Sequence, residues 1–204
     1  VDNGMEDLNN YFYMPEAIRT PLLSEGRDLP QGMISRHVIK NDFFLSDGKR
    51  DVWLYKPINT THPTPLLVVY DGFDYLKRGE ITYVVDKLIA QKHIPPIAIA
   101  LVDNGRKSRI VEYTLGDAML ISILEDVLPL AHEHLNLLDI DKNPGAYGVC
   151  GASMGGLMAL YTTLRHPNIF GWAVCQSPSL QILKDDPRSP LKLLINQHKH
   201  DENP

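Results

Sequence analysis

The sequence predicts an α/β protein: a mainly parallel sheet with helices on both faces, entered through an N-terminal antiparallel hairpin. Three observations predict it. Continuous apolar runs at Leu66–Tyr70 and Ile97–Val102 are typical of strands buried on both faces. Helical periodicity fills the intervals over 81–92 and 117–135. The stretch Val149-Cys150-Gly151-Ala152-Ser153-Met154-Gly155-Gly156-Leu157 reads as a buried strand turning abruptly into a helix. Strands alternating with helices of this length imply right-handed crossovers.

Taken in order, residues 1–31 are interrupted by Pro15, Pro21 and Pro30 and predict an irregular arm, with 32–204 forming one domain. Gly32 to Leu45 and Arg50 to Lys56 alternate on either side of the turn residues Ser46-Asp47-Gly48, which makes a β-hairpin. His37, in its first strand, reads as structural or surface. A Pro/Thr loop follows from Pro57 to Pro65 and contains the formal glycosylation sequon Asn59-Thr60-Thr61. Leu66–Tyr70 then ends in Asp71-Gly72. The helix over 81–92 places Val84, Val85, Leu88 and Ile89 on one face and stops at His93 and Pro95-Pro96. After Ile97–Val102, residues 103–113 read as a loop. The helix over 117–135 repeats Met119, Ile123, Val127 and Ala131, and Pro129 predicts a kink within it or an early break. Asp139 to Gly145 form a polar turn into the strand before Ser153. The next helix ends near Arg165-His166-Pro167, a further strand runs from Gly171 to Gln176, and a last helix is expected between Pro190 and His198.

Composition narrows the function. With 44% hydrophobic residues the chain can bury a sizeable core, and a net charge of −5 without a basic stripe argues against nucleic acid or an anionic membrane surface as partner. Small molecules or proteins remain. No apolar run has membrane-spanning length and the acidic start lacks signal-peptide features, so a cytoplasmic protein is expected. Cys150 and Cys175 fall in apolar segments that should be neighbouring strands, and both are expected as buried free thiols. His132-Glu133-His134 puts its histidines roughly 200° apart on a helix, so they cannot share one metal ion there. The glycines around Ser153 form neither Gly-x-Gly-x-x-Gly nor a phosphate loop. No metal or cofactor is expected.

The chemistry concentrates at Gly151-x-Ser153-x-Gly155. In a nucleophile elbow the serine occupies a strained backbone position, and its flanking residues must be almost free of side chain where strand and helix pack together. Glycine at both ends meets that need. A merely tight strand-helix turn is the bland alternative.

Several stretches in the right order resemble a known family, the esterases related to enterochelin esterase and esterase D, within the α/β-hydrolase fold. They are Val69-Tyr-Asp-Gly-Phe-Asp-Tyr75, Ile94-Pro-Pro-Ile-Ala-Ile-Ala-Leu-Val-Asp103, Arg109-Ile-Val-Glu-Tyr113, Glu125-Asp-Val-Leu-Pro129, Gly151-Ala-Ser-Met-Gly-Gly-Leu157 and His166-Pro-Asn-Ile-Phe-Gly171. The set covers about 32–180 and looks closest to the enterochelin-esterase-like branch. The resemblance implies a serine esterase, with siderophore lactones among the candidate substrates and Ser153 as nucleophile. It implies backbone N–H groups of Met154 and Phe73 as the oxyanion hole. It pairs Arg109 with Glu112 as a brace for the loop beside the site, and places Ser177 in the lining of the cleft.

The chain departs from that pattern after Ser153. An activated serine needs an imidazole and a carboxylate to orient it, in the chain order Ser, acid, His. Few residues remain after the strand ending at Gln176. His166 reads as a helix C-cap that favours the helix dipole, Asp185 and Asp186 as a solvated turn, and His198 and His200 as part of a polar tail. The expectation is that the C-terminal strands of the fold, with the triad acid and histidine, are missing from this chain. That would expose a sheet edge and favour homo-oligomers. The alternative to an esterase is a catalytically incomplete hydrolase-fold fragment or binding module.

Overall fold

The structure is a computed structural model, and it describes residues 31–183 apart from Asn59, together with Pro15, Glu16, Leu22 and Leu29. Nearly all of the expected arm, Asn59 of the sequon, Asp185, Asp186, the helix expected between Pro190 and His198, His198 and His200 lie outside the described residues.

The apolar and alternating runs become β1 (Met33–Lys40), β2 (Lys49–Lys56), β3 (Leu66–Tyr70), β4 (Ala98–Val102), β5 (Tyr147–Ala152) and β6 (Phe170–Gln176). Among the described residues they form a six-stranded sheet in the order β1-β2-β4-β3-β5-β6. β1 and β2 pair as the antiparallel hairpin, with Met33 opposite Lys56 and Lys40 opposite Lys49. β2 docks antiparallel on β4, and the β3–β4, β3–β5 and β5–β6 pairs are parallel. The first hairpin strand stops at Lys40 and not at Leu45. Asn41 turns the chain, its side-chain oxygen accepting the N–H groups of Phe43 and Phe44 at 3.0 and 3.2 Å.

Side chains alternate along each central strand and so divide between two cores. Val68, Ala100 and Val149 point into one; their neighbours Val69, Leu101 and Cys150 point into the other. The first core is closed by α4 (Asp117–Ser122), a π-helical turn (Ile123–Val127), α5 (Leu128–His134) and α6 (Met154–Arg165). The second takes α2 (Ile81–Ala90), which follows the short α1 (Gly72–Lys77).

The helix over 117–135 runs without a gap from Asp117 to His134, and its irregularity is a π turn just before Pro129, which has no N–H and whose ring would collide with the carbonyl four residues back. The predicted stripe of Met119, Ile123, Val127 and Ala131 is nonetheless fully buried. In α2 the inward face is corrected to Val85, which is buried, with half-buried Ile81 and Ile89 packed against the same core; Val84 and Leu88, equally half-buried, are not part of that cluster. Asp86 turns in beside Val85 because its carboxylate accepts the Tyr55 hydroxyl at 2.6 Å and the Gly32 N–H at 3.0 Å. Residues 103–113 are not plain loop but hold a 3-10 turn (Arg106–Ser108) and α3 (Arg109–Tyr113). Finally, among the described residues β6 is an edge strand that exposes Trp172 and Val174, so Cys175 is half-buried while Cys150 is buried; both thiols are free, as expected.

Candidate active site

β3, β4, β5 and β6 run parallel in neighbouring positions, so Tyr70, Val102, Ala152 and Gln176 all end at one edge of the sheet. The residues that follow them converge there, the usual place for a site in an open α/β sheet.

Ser153 stands between β5 and α6 with φ 54° and ψ −117°. A non-glycine residue held there stores on the order of 1–3 kcal/mol, which the surrounding structure must offset. Glycines on both sides make the turn feasible. A β-carbon on Gly151 would collide with the Gly155 carbonyl, and one on Gly155 would lie 2.8 Å from Asp71 Oδ2. Ser153 itself is exposed, and its backbone is stitched to the segment after β6. Its N–H donates to the Gln176 carbonyl at 2.9 Å, and its carbonyl accepts the Ser179 N–H at 3.0 Å.

The Ser153 hydroxyl lies 3.0 Å from that of Ser179, which is buried. Ser177, the residue expected at the cleft, is exposed with φ 43° and does not make this contact. Sequence reasoning misses Ser179 because a serine two positions further on looks like loop; the Gln176-Ser-Pro-Ser179 pattern, in which Pro178 turns the chain back, is the available signal. The Tyr75 hydroxyl donates to Gln176 Oε1 at 2.6 Å, tying α1 to the end of β6. Burial and the neighbouring Cys150 push the Tyr75 phenol up, and burial raises the Cys150 thiol, so both stay protonated at neutral pH.

Two N–H groups start helices at this edge. Met154 is the first residue of α6 and Phe73 the second of α1, positions whose N–H groups have no acceptor within their own helix. The Phe73 ring is exposed against Trp53, with centroids 5.8 Å apart. Asp71 precedes α1 in the left-handed region, φ 56° and ψ 44°. Its carboxylate takes two bonds from Arg109, at 2.6 and 2.7 Å, and one from Asn104 at 2.8 Å.

The expected pairing of Arg109 with Glu112 is therefore corrected. Arg109 binds Asp71, and Glu112 binds Arg50 through two bonds of 2.8 and 2.9 Å with both partners buried. Spacing alone hides this, because residues three apart on one turn of α3 reach in different directions toward partners on β2 and after β3.

No described histidine meets Ser153. His166 does follow the last turn of α6 as a C-cap, donating its N–H to Thr162, but at ~1.5 Å per residue it lies roughly 20 Å along the helix from Ser153. Burial and Arg165 lower its pKa, so a cationic complement to the helix dipole is not what it supplies. His37 stacks on His134 at 4.3 Å and His132 approaches the Tyr147 hydroxyl at 3.3 Å, so the two helix histidines serve different neighbours. Among the described residues no cluster of His, Cys, Asp and Glu could hold a metal ion.

The sheet, its helices and the Ser153 turn define an α/β-hydrolase fold. A family model described as "Putative esterase" matches residues 46–199, and the chain belongs to that esterase family. An iron(III) enterobactin esterase of Dickeya dadantii is 30% identical over 155 residues, covering 72% of this chain and 35% of the relative. The enterobactin esterase of Shigella flexneri, solved in the presence of enterobactin, matches with TM-score 0.72 and 24% identity over 94% of this chain and 47% of that one. A ferulic acid esterase of Anaeromyces mucronatus shares the fold, with TM-score 0.62 and 15% identity over 79% of this chain and 64% of that one. The chain thus spans less than half the length of the enterobactin esterases it matches.

Proposed function

We propose that the chain carries the nucleophile and oxyanion-binding part of a serine ester hydrolase. Ser153 Oγ attacks a carboxylic ester carbonyl, the alcohol leaves with the proton, and water releases the acid from the acyl-serine. The Met154 and Phe73 N–H groups bind the oxyanion that develops between these steps, a contribution of a few kcal/mol per donor. The observation that carries this reading is Ser153 itself: an exposed hydroxyl at φ 54° on a strand-helix turn with glycine at both flanks. Membership of the esterase family supports it. The relatives named as iron(III) enterobactin esterases support a siderophore lactone as the substrate class. The triad acid and histidine are proposed to lie beyond the described residues.

A second reading is favoured by one observation, the serine hydroxyl at 3.0 Å from Ser153 where an esterase needs an imidazole. In it the chain is a catalytically incomplete hydrolase fold or a binding module. Fluorophosphonate labelling and p-nitrophenyl acetate turnover separate the two. The esterase reading expects Ser153 to be labelled and Ser153→Ala not to be. Absence of labelling, in a longer protein containing this chain as well, would leave the binding module. Turnover by these 204 residues that vanishes in Ser153→Ala would place the base at His198 or His200.

A further inference from the structure

We propose that Asp71 and Arg109 are positioning residues that hold the Phe73 backbone in register with Ser153. The proposal rests on Phe73 N–H being an oxyanion donor, and its test separates the two.

Glycine is the usual residue in the left-handed region, and Asp71 is there instead, buried at 6% exposure. Every polar part of Asp71 is engaged. Its N–H donates to the Tyr113 hydroxyl at 3.1 Å, and its carbonyl accepts the Asp74 and Tyr75 N–H groups at 3.0 and 3.2 Å. Its carboxylate accepts Arg109 Nε and Nη2 and Asn104 Nδ2, at 2.6, 2.7 and 2.8 Å. The planar fork of arginine fixes the carboxylate plane as well as its position, which a lysine point charge does not.

The same carboxylate meets the other half of the site. Gly155, two residues after Ser153, has no β-carbon, and one built there would sit 2.8 Å from Asp71 Oδ2 and 3.7 Å from the Tyr113 ring. Asp71 therefore bears on the start of α6 with its side chain while its backbone begins α1. One residue sets the distance between the two turns that carry Phe73 and Met154. Oxyanion donors lose most of their effect when displaced by about 1 Å, so such a device has a function beyond folding.

The discriminating variant is Asp71→Gly, which relieves the left-handed backbone and deletes the anchor; Arg109→Ala and Arg109→Lys test the fork. Amide exchange of Asp74 and Tyr75 reports the turn without any need for activity, with β3 and β5 amides as the internal control. The expected result is exchange about tenfold faster at Asp74 and Tyr75 in Asp71→Gly and Arg109→Ala, with β3 and β5 unchanged. Fluorophosphonate labelling of Ser153 should slow about tenfold in both, recover partly with methylguanidinium in Arg109→Ala, and stay slow in Arg109→Lys. Native exchange at Asp74 and Tyr75 in Asp71→Gly overturns the proposal, and so does native labelling in that variant. If Ser153 is labelled neither in the unmodified chain nor in a longer protein containing it, the nucleophile reading falls, and the exchange data alone then decide whether this pair fixes the turn.

Discussion

The hydroxyls of Ser153 and Ser179 lie 3.0 Å apart, and the backbones of the same two residues are joined by a second bond of 3.0 Å from the Ser179 N–H to the Ser153 carbonyl. Ser179 is buried while Ser153 is exposed, so the partner is rigid and the candidate nucleophile is accessible. The pair presents the Ser153 hydroxyl in one orientation.

Removing that partner should be visible in reactivity. A neutral hydrogen bond contributes about 1 kcal/mol net, a factor of ~5 in a rotamer population. Ser179→Ala should slow fluorophosphonate labelling of Ser153 about fivefold, while Ser177→Ala, at an exposed position without this contact, leaves it unchanged. Faster labelling in Ser179→Ala would mean that Ser179 restrains the nucleophile.

The turn at Ser153 depends on the glycine before it. A methyl group at Gly151 would strike the Gly155 carbonyl, which is backbone and cannot swing away. Gly151→Ala should destabilise the fold by about 3 kcal/mol or more, at the upper end of overpacking costs, read as a lower urea midpoint with unchanged slope. A native midpoint would show that the strand-helix turn is looser than the geometry implies.

The buried Arg50–Glu112 pair gives acid sensitivity. Burial acts to raise the Glu112 carboxyl, but hydrogen bonds and charge from Arg50, with Ser108, outweigh it and hold the pKa below the ordinary 4.5. The folded pKa is depressed, so its stability contribution is complete above about 4.5 and is lost as pH falls through the folded value. Glu112→Gln removes the buried countercharge of Arg50 and leaves it only the half-exposed Asp47 at 3.0 Å, which should cost about 3 kcal/mol at pH 7. Its urea midpoint should vary less than that of the native chain between pH 5 and pH 3.

Among the described residues β6 is an edge strand; it exposes Trp172 at 72% and Val174 at 49%, and no charge or proline interrupts Phe170–Gln176. Edges without such residues invite pairing with another chain. The described chain should therefore self-associate in a concentration-dependent way, and Trp172→Glu with Val174→Lys should lower its weight-average mass in sedimentation equilibrium. An unchanged mass would remove β6 as the contact.

Much of the architecture is legible in the amino-acid sequence, because its local patterns are strong. The runs at Leu66–Tyr70 and Ala98–Val102, the hairpin, the Met119 to Ala131 stripe and the turn at Ser153 each depend on neighbouring residues and a fixed period. Family membership also follows from the order of short stretches. Other features depend on residues far apart in sequence, where no period operates. That β2 docks on β4, that Glu112 binds Arg50 and Arg109 binds Asp71, and that Ser179 and not Ser177 meets Ser153 are decided only when the sheet brings distant loops to one edge. Asp71 is the plainest case: in sequence it ends a strand, and only the packed α3 and α6 make its carboxylate the point where both halves of the site meet.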